Sequence, residues 1–131
     1  MEILLYLWQL PQNLVGLLFT RFLGAKKQEI LKDTQVYKHN KKAFSSVSLG
    51  HFLIIKGTQY SETTLKHEYG HHLQSLRLGW LYLLIIGLPS LLGNIYDRTA
   101  HKKWTQEQRY LWYYRQPWES WADKLGKVKR K

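Results

Sequence analysis

A chain of 131 residues without a cysteine excludes disulfides, thiolate metal ligands and a second independent core, leaving His and carboxylate as the available metal ligands. The 20 basic and 9 acidic residues give a formal net charge of +11, which favours anionic partners. Basic residues gather at Lys26 to Lys42 and again from Lys124 to the end, with two nearly uncharged stretches before and between them, a distribution better suited to a membrane surface than to nucleic acid.

In chain order, residues 1–25 carry only Glu2 and Arg21 as charges and are rich in Leu and Phe. They predict one or two apolar helices broken at Pro11, covering the core or lying in the plane of a membrane. No basic stretch precedes the apolar part and no clear cleavage site follows it, so a secretory signal is a poor match and a cytoplasmic or membrane-peripheral location is expected. Lys26 to Asn40 is polar, and a short helix followed by an extended segment at Gln35 to Tyr37 is expected there. Phe44 to Lys56 predicts β structure, strongest at His51 to Ile55, a strand with the potential to offer an edge to an extended peptide. Ser61 is a suitable N-cap, and a helix is predicted from there through Leu78 to a stop at Gly79. Further helices are predicted over Thr105 to Gln116 and from Pro117 onward. The expected fold is α+β and mostly helical, a single domain over 1–131 with a small antiparallel sheet beside the central helix and a basic tail at 124–131.

The chemistry lies in that central helix. His67-Glu68-Tyr69-Gly70-His71 is H-E-x-x-H. Helical residues four apart project to the same side, so His67 and His71 can meet one tetrahedral ion, and Glu68 then stands beside the metal-bound water as general base. At 100° per residue, Leu65, Tyr69, His72, Leu73 and Leu76 form a neighbouring apolar sector, and Lys66, Gly70, Gln74 and Arg77 a polar back. His72 is expected to be a hydrogen-bonded core residue. A third ligand is required. Glu119 and Asp123, four apart on the last predicted helix, supply a candidate ligand and a candidate partner for a ligand imidazole, with Trp118, Trp121 and Leu125 expected to pack into the core from the opposite face. Tyr113 and Tyr114, and less directly Tyr110 and His101, are candidates to stabilise an oxyanion.

The pair of motifs, His67-Glu68-x-x-His71 and Glu119-x-x-x-Asp123, resembles the gluzincin clan of zinc metallopeptidases. The His-Glu-Tyr-Gly-His run, Gly87-Leu88-Pro89-Ser90 and Trp118-Glu119-Ser120-Trp121-Ala122-Asp123 are similar to a group of short, uncharacterised bacterial proteins within it. The resemblance extends from Leu65 to Gly126. It implies Zn2+ held by His67, His71 and Glu119, Glu68 as general base, Asp123 behind a ligand, and hydrolysis of a peptide or protein substrate.

The charge-free run Leu78 to Tyr96 is close to the length of a membrane span. A single crossing would place His67 and His71 on one side of the bilayer and Glu119 on the other, so a bent apolar hairpin turning at Gly87 to Ser90 and touching an anionic membrane surface is expected instead. The competing reading is a non-catalytic membrane-associated or protein-binding module with a structural zinc; nucleic acid is disfavoured as a partner.

Overall fold

The computed structural model describes residues 3–42 and 44–129; Met1 and Glu2 of the apolar segment and Arg130 and Lys131 of the basic tail lie outside them. Two helices open the chain, α1 (Ile3–Trp8) and α2 (Leu10–Leu23), separated at Gln9, with Pro11 in the first turn of α2, where its missing N–H costs nothing. Four strands follow: β1 (Lys26–Leu31), β2 (Thr34–His39), β3 (Val47–Leu49) and β4 (Phe52–Lys56). The central helix α3 (Glu62–Leu78) comes next. Beyond it lie a short 3-10 turn (Gly79–Leu81), a π-helical turn (Leu83–Gly87), α4 (Leu88–Ala100), α5 (Gln106–Arg115) and α6 (Pro117–Gly126).

The sheet order is β1-β2-β4-β3. β1–β2 and β3–β4 are antiparallel, but β2 and β4 run parallel, so the sheet is mixed where an antiparallel one was expected. β4 lies between β2 and β3 and has no free edge to offer a peptide. Its near-continuous apolar sequence is that of a strand covered on both faces. Phe52 and Ile54 pack with Leu23 and Leu49 and, around them, Leu17 and Phe19, on the α2 side. Leu53 and Ile55 pack with Val36, Leu65 and Tyr69 on the α3 side.

The short helix expected after Lys26 is absent, and β1 occupies its place. Its side chains are largely exposed, so pairing with β2 rather than burial holds it. The β1–β2 turn is tied down at Asp33, whose carboxylate accepts from Tyr69 Oη (3.0 Å) and from His72 Nε2 (2.9 Å). His72 is fully buried and its Nδ1 donates to the Gly50 carbonyl at 2.8 Å, the core role expected for it.

α3 begins where its cap predicts, with Ser61 Oγ accepting from the Thr64 backbone N–H. Thr105 and Gln108 form a capping box at α5. The chain turns at Gly79–Leu81, not at Gly87 to Ser90: the segments Glu62–Leu81 and Leu83–Ala100 meet at 119°, and the second runs on through Pro89. Pro89 sits in the first turn of α4, directly after the π-helical turn.

α3 and α6 pack with their backbones in near contact. A Cβ on Gly70 would lie 1.9 Å from the Ala122 carbonyl oxygen, and one on Gly126 would lie 1.9 Å from that of Lys66. Gly70, assigned by helical phase to a polar back, is thus the point where α6 docks. Gly70→Ala should therefore reverse the usual helix preference: Ala ordinarily gains about 1 kcal/mol over Gly in a helix, whereas overpacking here costs about 1–3 kcal/mol or more. The expected result is a lower melting temperature of the metal-free chain together with weaker metal binding, read by thermal denaturation and metal titration.

Candidate metal centre

The α3–α6 contact determines the geometry of the site. His67 and His71 point from adjacent turns of α3, with ring centroids 4.7 Å apart and planes at 85°. Glu119, in the first turn of α6, is fully buried opposite them. Its Oε1 lies 3.0 Å from His67 Nε2 and 2.9 Å from His71 Nε2. Its other oxygen is buried with no hydrogen-bond partner among the described residues. The three side chains expected to converge do so, and they form a group able to hold a metal ion.

The outer nitrogens decide what the inner ones can do. His67 Nδ1 donates to Asp123 Oδ1 at 2.6 Å, and His71 Nδ1 donates to Gln74 Oε1 at 2.6 Å. Gln74 is itself fixed, since its Nε2 donates to the Trp118 carbonyl at 2.9 Å. A neutral imidazole has one N–H, and here each is committed on the δ side. Both Nε2 atoms then present lone pairs to a carboxylate oxygen that also has only lone pairs to offer. Three acceptors facing one point in a dry site require a cation between them, either protons or a metal. Ligand atoms around a tetrahedral zinc stand about 3.3 Å apart, so the observed spacing accommodates one with a few tenths of an ångström of relaxation. The site is a zincin-like H-E-x-x-H arrangement completed by a distant carboxylate.

Charge in the site follows the same logic. Burial opposes the imidazolium of His67, but the hydrogen bonds to Asp123 and then Glu119 overcome it and raise its pKa to about 9. His71 is also raised, Glu119's charge and hydrogen bond outweighing burial. Glu119 is held well below the usual carboxylate range: burial works against its ionised form, but the charge of His71 and the hydrogen bonds from both imidazoles prevail. Glu68 follows His67 on α3 and is 4% exposed, and its negative charge contributes to the raised pKa of both His67 and His71.

The tyrosines divide by position. Tyr114 packs edge-on against the His67 ring, with centroids 4.9 Å apart. Tyr113 shares a hydrogen bond with Ser90 Oγ at 3.1 Å, and burial, then the charge of Glu119, drives its phenol far above the ordinary tyrosine value. His101 is elsewhere engaged: it pairs with Asp97 at 2.9 Å and stacks on Trp104.

Sequence reasoning missed Gln74, Gly70 and Tyr82. Gln74 was open to detection, since it lies three residues after His71 and so on the same side of the helix. Tyr82 is fully buried, donates to the Ser48 carbonyl at 3.0 Å and feels the charge of Glu68 and Glu119; only the bend at Gly79 brings it there. The Glu119/Asp123 face of α6 is the buried one, whereas Trp118, Trp121 and Leu125, expected to fill the core, are half-buried.

A raised histidine pKa stabilises the fold while the ring is protonated. In the metal-free chain the His67 contribution is complete below its ordinary value of 6.5 and is lost as pH rises through about 9. A metal competes with that proton, so its binding should weaken about tenfold per displaced proton for each pH unit below about 9. Competition against a chromophoric chelator at stepped pH should show apparent affinity rising from pH 6.5 to 9 while the metal-free chain loses stability over the same window.

No protein-family model, curated protein or solved structure matches the chain.

Proposed function

We propose that the chain is a zinc-dependent peptidase of the gluzincin kind, with His67, His71 and Glu119 as ligands and Glu68 as general base. One observation carries the reading: the two imidazole Nε2 atoms lie 3.0 and 2.9 Å from the same carboxylate oxygen, with both Nδ1 protons committed elsewhere. When bound, zinc supplies Lewis acidity that polarises a peptide carbonyl and makes a water easier to deprotonate. Glu68 takes the proton from the attacking water and delivers it to the departing amine nitrogen. Asp123 and Gln74 hold the two imidazoles in the tautomer and orientation that ligation needs. Tyr113, kept protonated by its surroundings, is the donor to the tetrahedral oxyanion, and Tyr114 braces His67.

A second reading is favoured by burial. His67 and His71 are 4% exposed and Glu119 is 0% exposed, and closed sites are the habit of structural metals. The two readings part in one experiment. The purified chain is analysed for zinc and incubated with a mixture of unstructured peptides, before and after treatment with a chelator and readdition of zinc. The peptidase reading expects about one zinc per chain and cleavage that stops and returns with the metal. Zinc without cleavage, with unfolding on chelation, would establish the structural role.

A further inference from the structure

We infer that the outer faces of α2 and of the helical segment Leu83–Ala100 form one lipid-docking surface, which seats the chain on an anionic bilayer without crossing it. The first observation is the inverted polarity of α2. Gln12 and Asn13 are fully buried, while Leu18 and Phe22 are 67% and 69% exposed. The inward polar groups are not misplaced. Gln12 Nε2 donates to Ser75 Oγ and the Gly79 carbonyl at 2.7 and 2.8 Å, and Asn13 Oδ1 accepts the His51 backbone N–H at 2.9 Å. A helix that satisfies its polar side inside the protein and turns leucine and phenylalanine outward is built for an apolar surrounding.

The second band lies on Leu83–Ala100, where Leu84 and Leu92 are 64% and 55% exposed. The elements that lead into the two bands, α1 before the first and the end of α3 with its Gly79–Leu81 turn before the second, are tied together by a pair of tryptophans. Trp80 Nε1 donates to the Leu7 carbonyl at 2.8 Å, and Trp8 Nε1 donates to the Leu76 carbonyl at 2.7 Å. Both rings remain about half exposed, with their only polar atom already satisfied by backbone. What they present outward is hydrocarbon, which suits acyl chains better than water.

Charge selects lipid over a second copy of the chain. α2 and the π-helical turn hold no acidic residue, and the one acid of α4, Asp97, is buried in its pairs with His101 and Arg109. Basic residues close both bands: Arg21 in the last turn of α2 with Lys26 and Lys27 beyond it, and Arg98 in the last turn of α4 with Lys102 and Lys103 beyond it. They complement anionic headgroups, whereas two copies each carrying +11 would repel. Among the described residues no single helix is long and apolar enough to cross a membrane, and the 119° bend after α3 suits a segment lying in the interface.

The test is flotation of the full chain with vesicles of phosphatidylcholine alone or mixed with phosphatidylglycerol. Co-flotation with the mixed vesicles is expected, reduced on phosphatidylcholine alone and by high salt. The double change Leu84→Glu and Leu92→Glu, both on exposed positions, should weaken partition at least about tenfold while metal content and the circular dichroism spectrum stay unchanged. Should that variant fail to fold, quenching of tryptophan fluorescence by lipids brominated on their acyl chains reads the same surface in the unaltered protein. A chain that stays at the bottom of the gradient and escapes quenching, whether as a monomer or a discrete dimer, overturns the inference. The outcome does not depend on whether the metal centre is catalytic.

Discussion

Glu68→Gln should leave zinc bound and remove peptide cleavage, lowering the turnover number by about 100- to 10,000-fold, the range a positioned general base contributes. The change is nearly isosteric, so the packing of α3 against α6 is preserved. Glu68 is not one of the three converging ligands, and His67, His71 and Glu119 keep their mutual distances without it. An amide cannot take a proton from water, so the loss should fall on turnover, with little change in the Michaelis constant. The rise in His67 and His71 owes part of its size to the Glu68 charge, so the variant should also bind the metal with less competition from protons at neutral pH. Equal cleavage by Glu68→Gln and the unaltered chain would remove Glu68 from the mechanism, and with it the peptidase proposal.

The legible part of this protein was the part encoded locally. Ser61, Gly79, Thr105 and Pro117 mark helix ends by the conformations or hydrogen bonds they supply, and each stands at the boundary its chemistry dictates. The H-E-x-x-H spacing is likewise local, a consequence of one helical turn. Glu119 could be proposed because the metal needs a third ligand and acidic residues are few. What the sequence hid was set by distant contacts. β1 has little apolar content to announce a strand, and exists through its pairing with β2. Helical phase alone placed Gly70 toward solvent, because it cannot know that α6 docks on that side. α3 also buries His67, Glu68, His71, Gln74 and Ser75, polar side chains that their hydrophobicity alone would turn outward. The same failure recurs in α2. In both helices polar side chains are satisfied by one another, and no periodicity of apolar residues reports that.

Glu119→Gln should cost far more metal affinity than Asp123→Asn, and comparing the two separates a ligand from the group that orients one. Asp123 reaches the site through His67 Nδ1. Replacing such an outer partner typically weakens metal binding about 10- to 100-fold. Glu119 instead lies at the point where both Nε2 atoms converge and supplies the only carboxylate oxygen among the three ligand atoms. Its loss leaves two neutral nitrogens, too few for a stable zinc site, and an amide that can donate a hydrogen bond to an imidazole lone pair. The metal-free form of Glu119→Gln is thereby better satisfied than its metal-bound form. In the unaltered chain, zinc at 100 times its dissociation constant should stabilise the fold by about 2.7 kcal/mol. That increment should vanish in Glu119→Gln and persist, at higher zinc concentration, in Asp123→Asn. The acid limb differs as well. Glu119 has a depressed pKa, so its contribution to the metal-free fold is present above the ordinary carboxylate value and is given up only well below it; Glu119→Gln should flatten the stability profile there. Thermal melts across zinc concentration and pH read both effects, and a full zinc-dependent shift in Glu119→Gln would mean that α6 does not complete the metal centre.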